Sequence, residues 1–182
     1  MKRIFGKLMN RTVVAVLVLL PLCFCACDSA HKEFEYLSLP FTAEVSGDVD
    51  GVAVSAEVFC DPTEHKTKEI YNWMTVKFSA PESLEGIVVT LRSDGRATIR
   101  LNGAEEKLPL YSGFAEPYLA LCCGGEIASR RKTEEGYEIV FSEGENSVIL
   151  ALDDKKVPVG VRGDVNGRNL SLKVIKFQQT QK

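Results

Sequence analysis

The chain predicts a mainly β fold of the α+β class, a curved antiparallel sheet of about ten strands forming an incomplete barrel with one short helix in its mouth. Three observations carry this expectation. From Phe34 onward apolar residues recur at every second position, punctuated by Asp-Gly and Asn-Gly pairs that mark tight hairpins. Only Ser112–Cys123 breaks that rhythm, with apolar residues at helical spacing. A sheet of that size also twists and curls rather than staying flat, so its apolar face must close around something.

The chain opens on a segment of another character. Lys2, Arg3, Lys7 and Arg11 form a basic head, Thr12–Leu22 is apolar, and small residues and cysteines follow. That order is the plan of a secretory signal peptide. The run Val13–Ala26 has 14 residues, short of the ~20 that a membrane-spanning helix needs. Leu20-Pro21-Leu22-Cys23-Phe24-Cys25-Ala26-Cys27 also resembles the lipobox of bacterial lipoproteins, with the small Ala26 immediately before Cys27. The resemblance implies a signal peptide over residues 1–26 and a diacylglycerol thioether on Cys27, with Cys23 and Cys25 as alternative sites. Residues 27–33 would then be a lipidated tether. It would hold the domain 34–180 within ~15–20 Å of the acyl group, exported and anchored on the extracytoplasmic side of a bacterial membrane.

The elements follow in order. Leu37, Leu39, Phe41, Ala43 and Val45 share one face of a first strand, with Tyr36, Ser38, Thr42 and Glu44 on the other. Ser46–Gly51 reads as a turn, and Val52, Val54, Ala56, Val58 and Cys60 alternate in the next strand. A polar loop, Asp61–Lys66, leads to a third strand with Ile70, Met74, Val76 and Phe78 inward and Tyr71 and Trp73 outward. Ala80–Gly86 interrupts the pattern. Ile87, Val89 and Leu91 enter the Asp94-Gly95 hairpin, Ala97, Ile99 and Leu101 leave it, and Asn102-Gly103 turns into a short strand Glu106–Leu110.

Within Ser112–Cys123, Phe114, Tyr118, Leu121 and Cys122 fall at helical spacing, and Gly124-Gly125 ends the helix. Pro117 is tolerated there because a first helical turn needs no amide hydrogen. Ser129–Gly136 reads as a charged connection containing Arg130-Arg131-Lys132. Alternation returns with Tyr137, Ile139 and Phe141, then Val148, Leu150 and Leu152, then Val157, Val159, Val161 and Val165. After Asn166-Gly167, Leu170, Leu172 and Val174 share a face that Ile175 and Phe177 leave.

Composition excludes some functions. Without residues 1–27 the chain has 18 basic and 25 acidic residues, a net charge of −7. An acidic domain gains nothing from phosphate polyanions, so nucleic acid is not an expected partner. About 155 residues suffice for one domain with its own core. The only histidines are His31 and His65, and the set Cys60, Asp61, Glu64 and His65 fits no standard zinc spacing. No nucleophile elbow or phosphate-cradling glycine loop occurs. The expectation is a non-enzyme with no metal and no cofactor. Cys60, Cys122 and Cys123 are left in the domain, an odd number, with a Cys60 disulfide to Cys122 or Cys123 left open. Arg130-Arg131-Lys132 could meet anionic headgroups, against the plainer reading of a solvated loop.

Val76-Lys77-Phe78-Ser79-Ala80-Pro81-Glu82-Ser83-Leu84-Glu85-Gly86-Ile87-Val88-Val89-Thr90 resembles a strand, Pro-containing turn and next strand of small LolA-like lipoproteins. Ser147–Asp153, Lys155-Lys156, Val157-Pro158-Val159 and Gly167–Phe177 are similar to that fold's closing hairpins. The likeness spans most of residues 34–178. It implies an incomplete antiparallel barrel with helix in its mouth, in a family that carries lipoproteins or lipids across an aqueous gap.

An inner face of that size holds on the order of forty side chains, more than one short helix can cover. Either the sheet closes on its own side chains or it leaves an apolar concavity. The residues expected to line such a concavity are Leu37, Leu39, Phe41, Val54, Val76, Phe78, Val89, Leu91, Ile99, Leu101, Phe114, Tyr118, Leu121, Ile139, Leu150 and Val159. Two functions follow from the two geometries. An open concavity would bind an acyl chain, lipid or other apolar ligand. A filled one would make a structural or partner-docking module at the membrane, its protein partner unspecified.

Overall fold

A two-residue apolar period makes strands wherever the chain can reverse, and the computed structural model has eleven of them among its described residues. It describes residues 32–62, 70–108, 116–122, 126–143, 146–165 and 167–180. The expectations for Cys27, His65, Phe114 and Cys123 lie outside these residues. The chain divides into two units, 1–35 and 36–182, and the second holds the whole sheet.

The strands are β1 (Phe41–Val49), β2 (Val52–Cys60), β3 (Asn72–Ala80), β4 (Val88–Arg92), β5 (Ala97–Leu101) and β6 (Ala104–Leu108), then β7 (Ile127–Lys132), β8 (Tyr137–Glu143), β9 (Asn146–Leu152), β10 (Pro158–Val165) and β11 (Arg168–Gln179). Every neighbouring pair is antiparallel, in the order β6-β5-β4-β3-β2-β1-β11-β10-β9-β8-β7. The sheet is therefore unclosed, with β6 and β7 as its two edges. Between them in sequence lie a four-residue helix α1 (Glu116–Leu119) and a 3-10 turn, Ala120–Cys122.

Two of the turns are left-handed at both central residues. Asp50 and Gly51 have φ of 57° and 80°, and Asn102 and Gly103 have 50° and 84°, the two positive values that match a tight turn to strand twist. β1 runs through Ser46–Val49, so the first turn is only Asp50-Gly51. Register shifts occur at Ile175, Ser79, Trp73, Val159 and Ala128, each an extra residue against its neighbour strand. Bulges of this kind bend a strand and deepen its twist, which curls the sheet. Gly163 serves the same end: with φ at 142°, a Cβ there would lie 2.1 Å from the Ser147 carbonyl oxygen.

Several expectations are corrected by this geometry. Leu37 and Leu39 do not lie on a strand: Lys32–Ser38 forms 3-10 turns and β1 begins at Phe41. Pro40 separates the two and has no amide hydrogen to give to a ladder. Both leucines are half-buried, whereas Tyr36, assigned to the outer face, is only 4% exposed. The bulge between Pro158 and Gly160 turns Val159 outward, 41% exposed, and puts Pro158 in the interior. Ile175 is the extra residue opposite Glu44 and Val45, so it points out while Phe177 returns to the inner face. Ile99 is half-buried and Leu101 exposed, because β5 is followed only by the exposed edge strand β6. Ile70 precedes β3 and is exposed.

The charged stretch Ser129–Lys132 is strand, not connection. Edge strands carry charge to resist pairing with other chains, so β7 has no apolar alternation to reveal it. Arg131 there donates to the Glu138 carboxylate on β8. Arg162 on β10 donates to the same group at 2.6 Å. It reaches over β9 at Ala151, whose register partners are Glu138 and Gly160, so no bulky side chain intervenes. Hydrogen bonds from Arg131 and then Arg162 hold the Glu138 carboxyl below its ordinary value.

A carboxyl with a depressed folded-state pKa stabilises the fold above its unfolded value and loses that contribution as pH falls through the folded one. Stability should therefore drop as pH falls below about 4.5, the ordinary value. In Glu138→Gln the slope of unfolding free energy against pH in that region should be shallower by up to one proton. Denaturant midpoints measured through the acid range check this, and equal slopes in the two proteins would remove the ion triplet from the account.

Candidate functional site

The inner face is apolar throughout. Phe41, Ala43 and Val45 of β1, Val54, Ala56, Val58 and Cys60 of β2, and Met74, Val76 and Phe78 of β3 are all buried. Val89, Leu91 and Ala97 extend this surface to one side, and Ile139, Phe141, Leu150, Leu152, Val161, Leu170 and Leu172 to the other. No charged side chain among the described residues is buried. Of the expected lining residues, the structure brings together Phe41, Val54, Val76, Phe78, Val89, Leu91, Tyr118, Leu121, Ile139 and Leu150.

Segment Glu116–Cys122 crosses this face as a strap, with Tyr118 and Leu121 buried. The strap touches β9 and β10 on one side of the sheet and residues of β3 on the other. Tyr118 is 1% exposed and stands edge-on to Phe78, with ring centroids 5.9 Å apart. Leu121 is fully buried, worth roughly 1.5–3 kcal/mol of apolar burial. The Cys122 Sγ lies 3.7 Å from the Met74 Sδ, and no disulfide joins Cys122 to the buried Cys60. Of the helix read over Ser112–Cys123, the described residues are Glu116–Leu119, which are α-helical, and Ala120–Cys122, which are wound as 3-10.

Tyr36 is the residue that sequence reasoning missed. Its hydroxyl donates to the Leu121 carbonyl at 2.9 Å, and its own carbonyl accepts from the Gln179 amide at 2.9 Å. Its ring packs on Phe41 and Phe177, with centroids 5.7 and 5.9 Å away. The strap is thus tied, through Tyr36, to the first and last strands of the chain, β1 and β11. The signal was the Pro40 next to the apolar Leu37 and Leu39, which breaks the strand phase that placed Tyr36 outside.

Tyr118 differs from Tyr36. Both phenols are buried, yet the Tyr118 hydroxyl makes no hydrogen bond to any described residue. Burial pushes its pKa above the ordinary phenol range. Among the described residues no group of three His, Cys, Asp or Glu side chains could hold a metal.

Two depressions lie on the outer face. One of about 350 Å³ is bounded by Glu44, Ser46, Ser55, Glu57, Lys77, Ser79 and the bulged Ile175. The other, about 190 Å³, sits beside Gly160 and Arg162. Their outward residues are polar or charged for the most part, unlike the inner face.

No protein-family model and no curated protein matches the chain. Solved structures do. An uncharacterized conserved protein from Thermus thermophilus aligns with a TM-score of 0.51 at 21% identity, covering 86% of each chain. A domain described as a putative outer membrane lipoprotein-sorting protein, from Vibrio parahaemolyticus, aligns at 0.44 and 10% identity over 84% of this chain and 90% of that one. A LolA superfamily protein from Nitrosomonas europaea aligns at 0.35 and 7% over 79% and 86%. At such identities the likeness is one of fold alone, and the two lower scores add no weight to it. The fold that the sequence resemblance implied, an incomplete antiparallel barrel, is the fold observed.

Replacing Tyr36 by Phe keeps the ring and removes the donor to Leu121. The buried carbonyl left behind should lower stability by about 1–2 kcal/mol. Hydrogen exchange of the Leu119–Cys122 amides should accelerate ~5–30-fold while the β1 and β2 amides change less. Equal acceleration throughout would show that Tyr36 supports the whole sheet rather than the strap.

Proposed function

We propose that this chain is a membrane-anchored extracytoplasmic lipoprotein whose half-barrel binds an acyl chain, lipid or other apolar ligand. Binding rather than catalysis is the reading that its chemistry favours. The observation that carries it is the cover of the hollow. Among the described residues, what lies over the continuous apolar sheet face is the seven-residue strap Glu116–Cys122, and no second sheet does.

A strap of that length is easier to displace than a paired strand. It is held by the Tyr36 hydrogen bond and by contact with the apolar sheet face. An acyl chain entering the hollow would take the place of Leu121 against the sheet, exchanging one apolar surface for another. Burial at roughly 25 cal/mol per Å² makes such an exchange nearly neutral for the protein and favourable for the ligand. Transfer of the ligand is the role that the resemblance to LolA-like lipoproteins adds.

The anchor is proposed on the sequence resemblance. A diacylglycerol on Cys27 would place the hollow beside the bilayer from which such a ligand comes. A second reading has its own support: Tyr118 and Leu121 are buried as deeply as the sheet residues they touch. On that reading the hollow is a finished core, and the protein docks a partner at the membrane.

Native mass spectrometry and solvent extraction of the purified protein separate the two. Copurified lipid, or saturable uptake of a fluorescent fatty acid, is expected of a carrier. Recovery of no lipid together with no uptake would leave the docking module. For the anchor, Cys27→Ala should move the protein from the membrane to the soluble fraction and abolish metabolic labelling with palmitate. Labelling that persists would assign the site to Cys23 or Cys25.

A further inference from the structure

The Tyr118 hydroxyl is the polar group of the described interior that the fold does not use. Its residue is 1% exposed, and neither strand nor strap offers the hydroxyl a partner among the described residues. Leaving such a group unpaired costs roughly 1–3 kcal/mol, and buried phenols ordinarily find a partner. A phenylalanine would make the same edge-on contact with Phe78 without that cost. Tyr36 shows the usual solution, since its buried hydroxyl donates to the Leu121 carbonyl at 2.9 Å. Burial also keeps the Tyr118 phenol protonated across the ordinary pH range, so it remains a donor.

Position gives the unpaired donor a meaning. Tyr118 sits on the strap, against the β3 residue Phe78, and the surrounding sheet is lined by Met74, Val76 and other apolar side chains. A molecule that fits those walls is apolar along its length, and it satisfies Tyr118 if it also carries one hydrogen-bond acceptor. We propose that Tyr118 is a specificity residue of the hollow, donating a hydrogen bond from its hydroxyl to the carbonyl oxygen of an acyl ester or amide. This rests on the reading of the hollow as an apolar ligand site and adds which part of the ligand is recognised. It also says that hydrocarbon alone is a poorer ligand than an ester of equal length.

The experiment uses protein expressed from the full chain and two photoactivatable probes of equal length, a fatty acid methyl ester and an alkane, each carrying a diazirine. Adducts are quantified by mass spectrometry over a concentration series. In Tyr118→Phe the half-saturating concentration of the ester should rise ~5–10-fold, the size of one hydrogen bond, while that of the alkane stays put. The carbonyl stretch of an isotope-labelled ester should show hydrogen bonding in the parent and lose it in the variant. Without ligand, the variant should melt at the same temperature as the parent or higher, because an unpaired hydroxyl has been removed. If both probes bind and Tyr118→Phe shifts neither, or shifts both alike, the donor role is overturned and the apolar site stands. If neither probe adds to the parent protein, the ligand site itself fails and this role falls with it.

Discussion

The pairing of β1 with β11 is the constraint on which the rest depends. It brings the first and last strands together in the middle of the sheet, so each half of the chain builds outward from a shared seam. The sixth strand then lies at one edge and the seventh at the other. The chain between them must pass from edge to edge, and its described part, Glu116–Cys122, has Tyr118 and Leu121 buried against the inner face. The strap is thus a consequence of topology before it is a feature of function.

Curvature comes from local irregularity. Extra residues at Ile175, Ser79, Trp73, Val159 and Ala128 bend their strands, and Gly163 allows two backbones closer than any side chain would permit. The same devices decide which apolar residues serve the interior. Val159 and Ile175 are ordinary strand residues by composition, yet both face outward because each is the unmatched residue of a bulge. The outer face is organised separately, with Glu138 joined to Arg131 and Arg162 across the second half of the sheet.

The strap unites the two tyrosines whose hydroxyls bring polarity into the described interior. Tyr36 fastens it, through a hydrogen bond that is fully inside the protein and so undiluted by water. Tyr118 rides on it with a donor directed at no described group. One phenol belongs to the fold, and the other is, on the proposed reading, the group offered to a ligand. That asymmetry is what connects the packing of the inner face to the ligand chemistry proposed above.

Much of this was legible in the chain. Alternation marks most of the strands, Asn102-Gly103 sets a turn between two of them, and the break at Ser112–Cys123 locates the strap, because period and turn chemistry are local properties. β7 was not legible, since an edge strand is protected by charge and Arg130-Arg131-Lys132 carries none of the apolar signal. Nor was the place of Tyr36, because a residue's face follows from strand phase and Pro40 resets it. The sequence by itself determined that an apolar sheet face exists and exceeds its helix. Only the tertiary structure decided which residues meet there and which hydroxyl has no partner among the described residues, because bulges, register and the path of the strap are set by contacts between segments far apart in the chain.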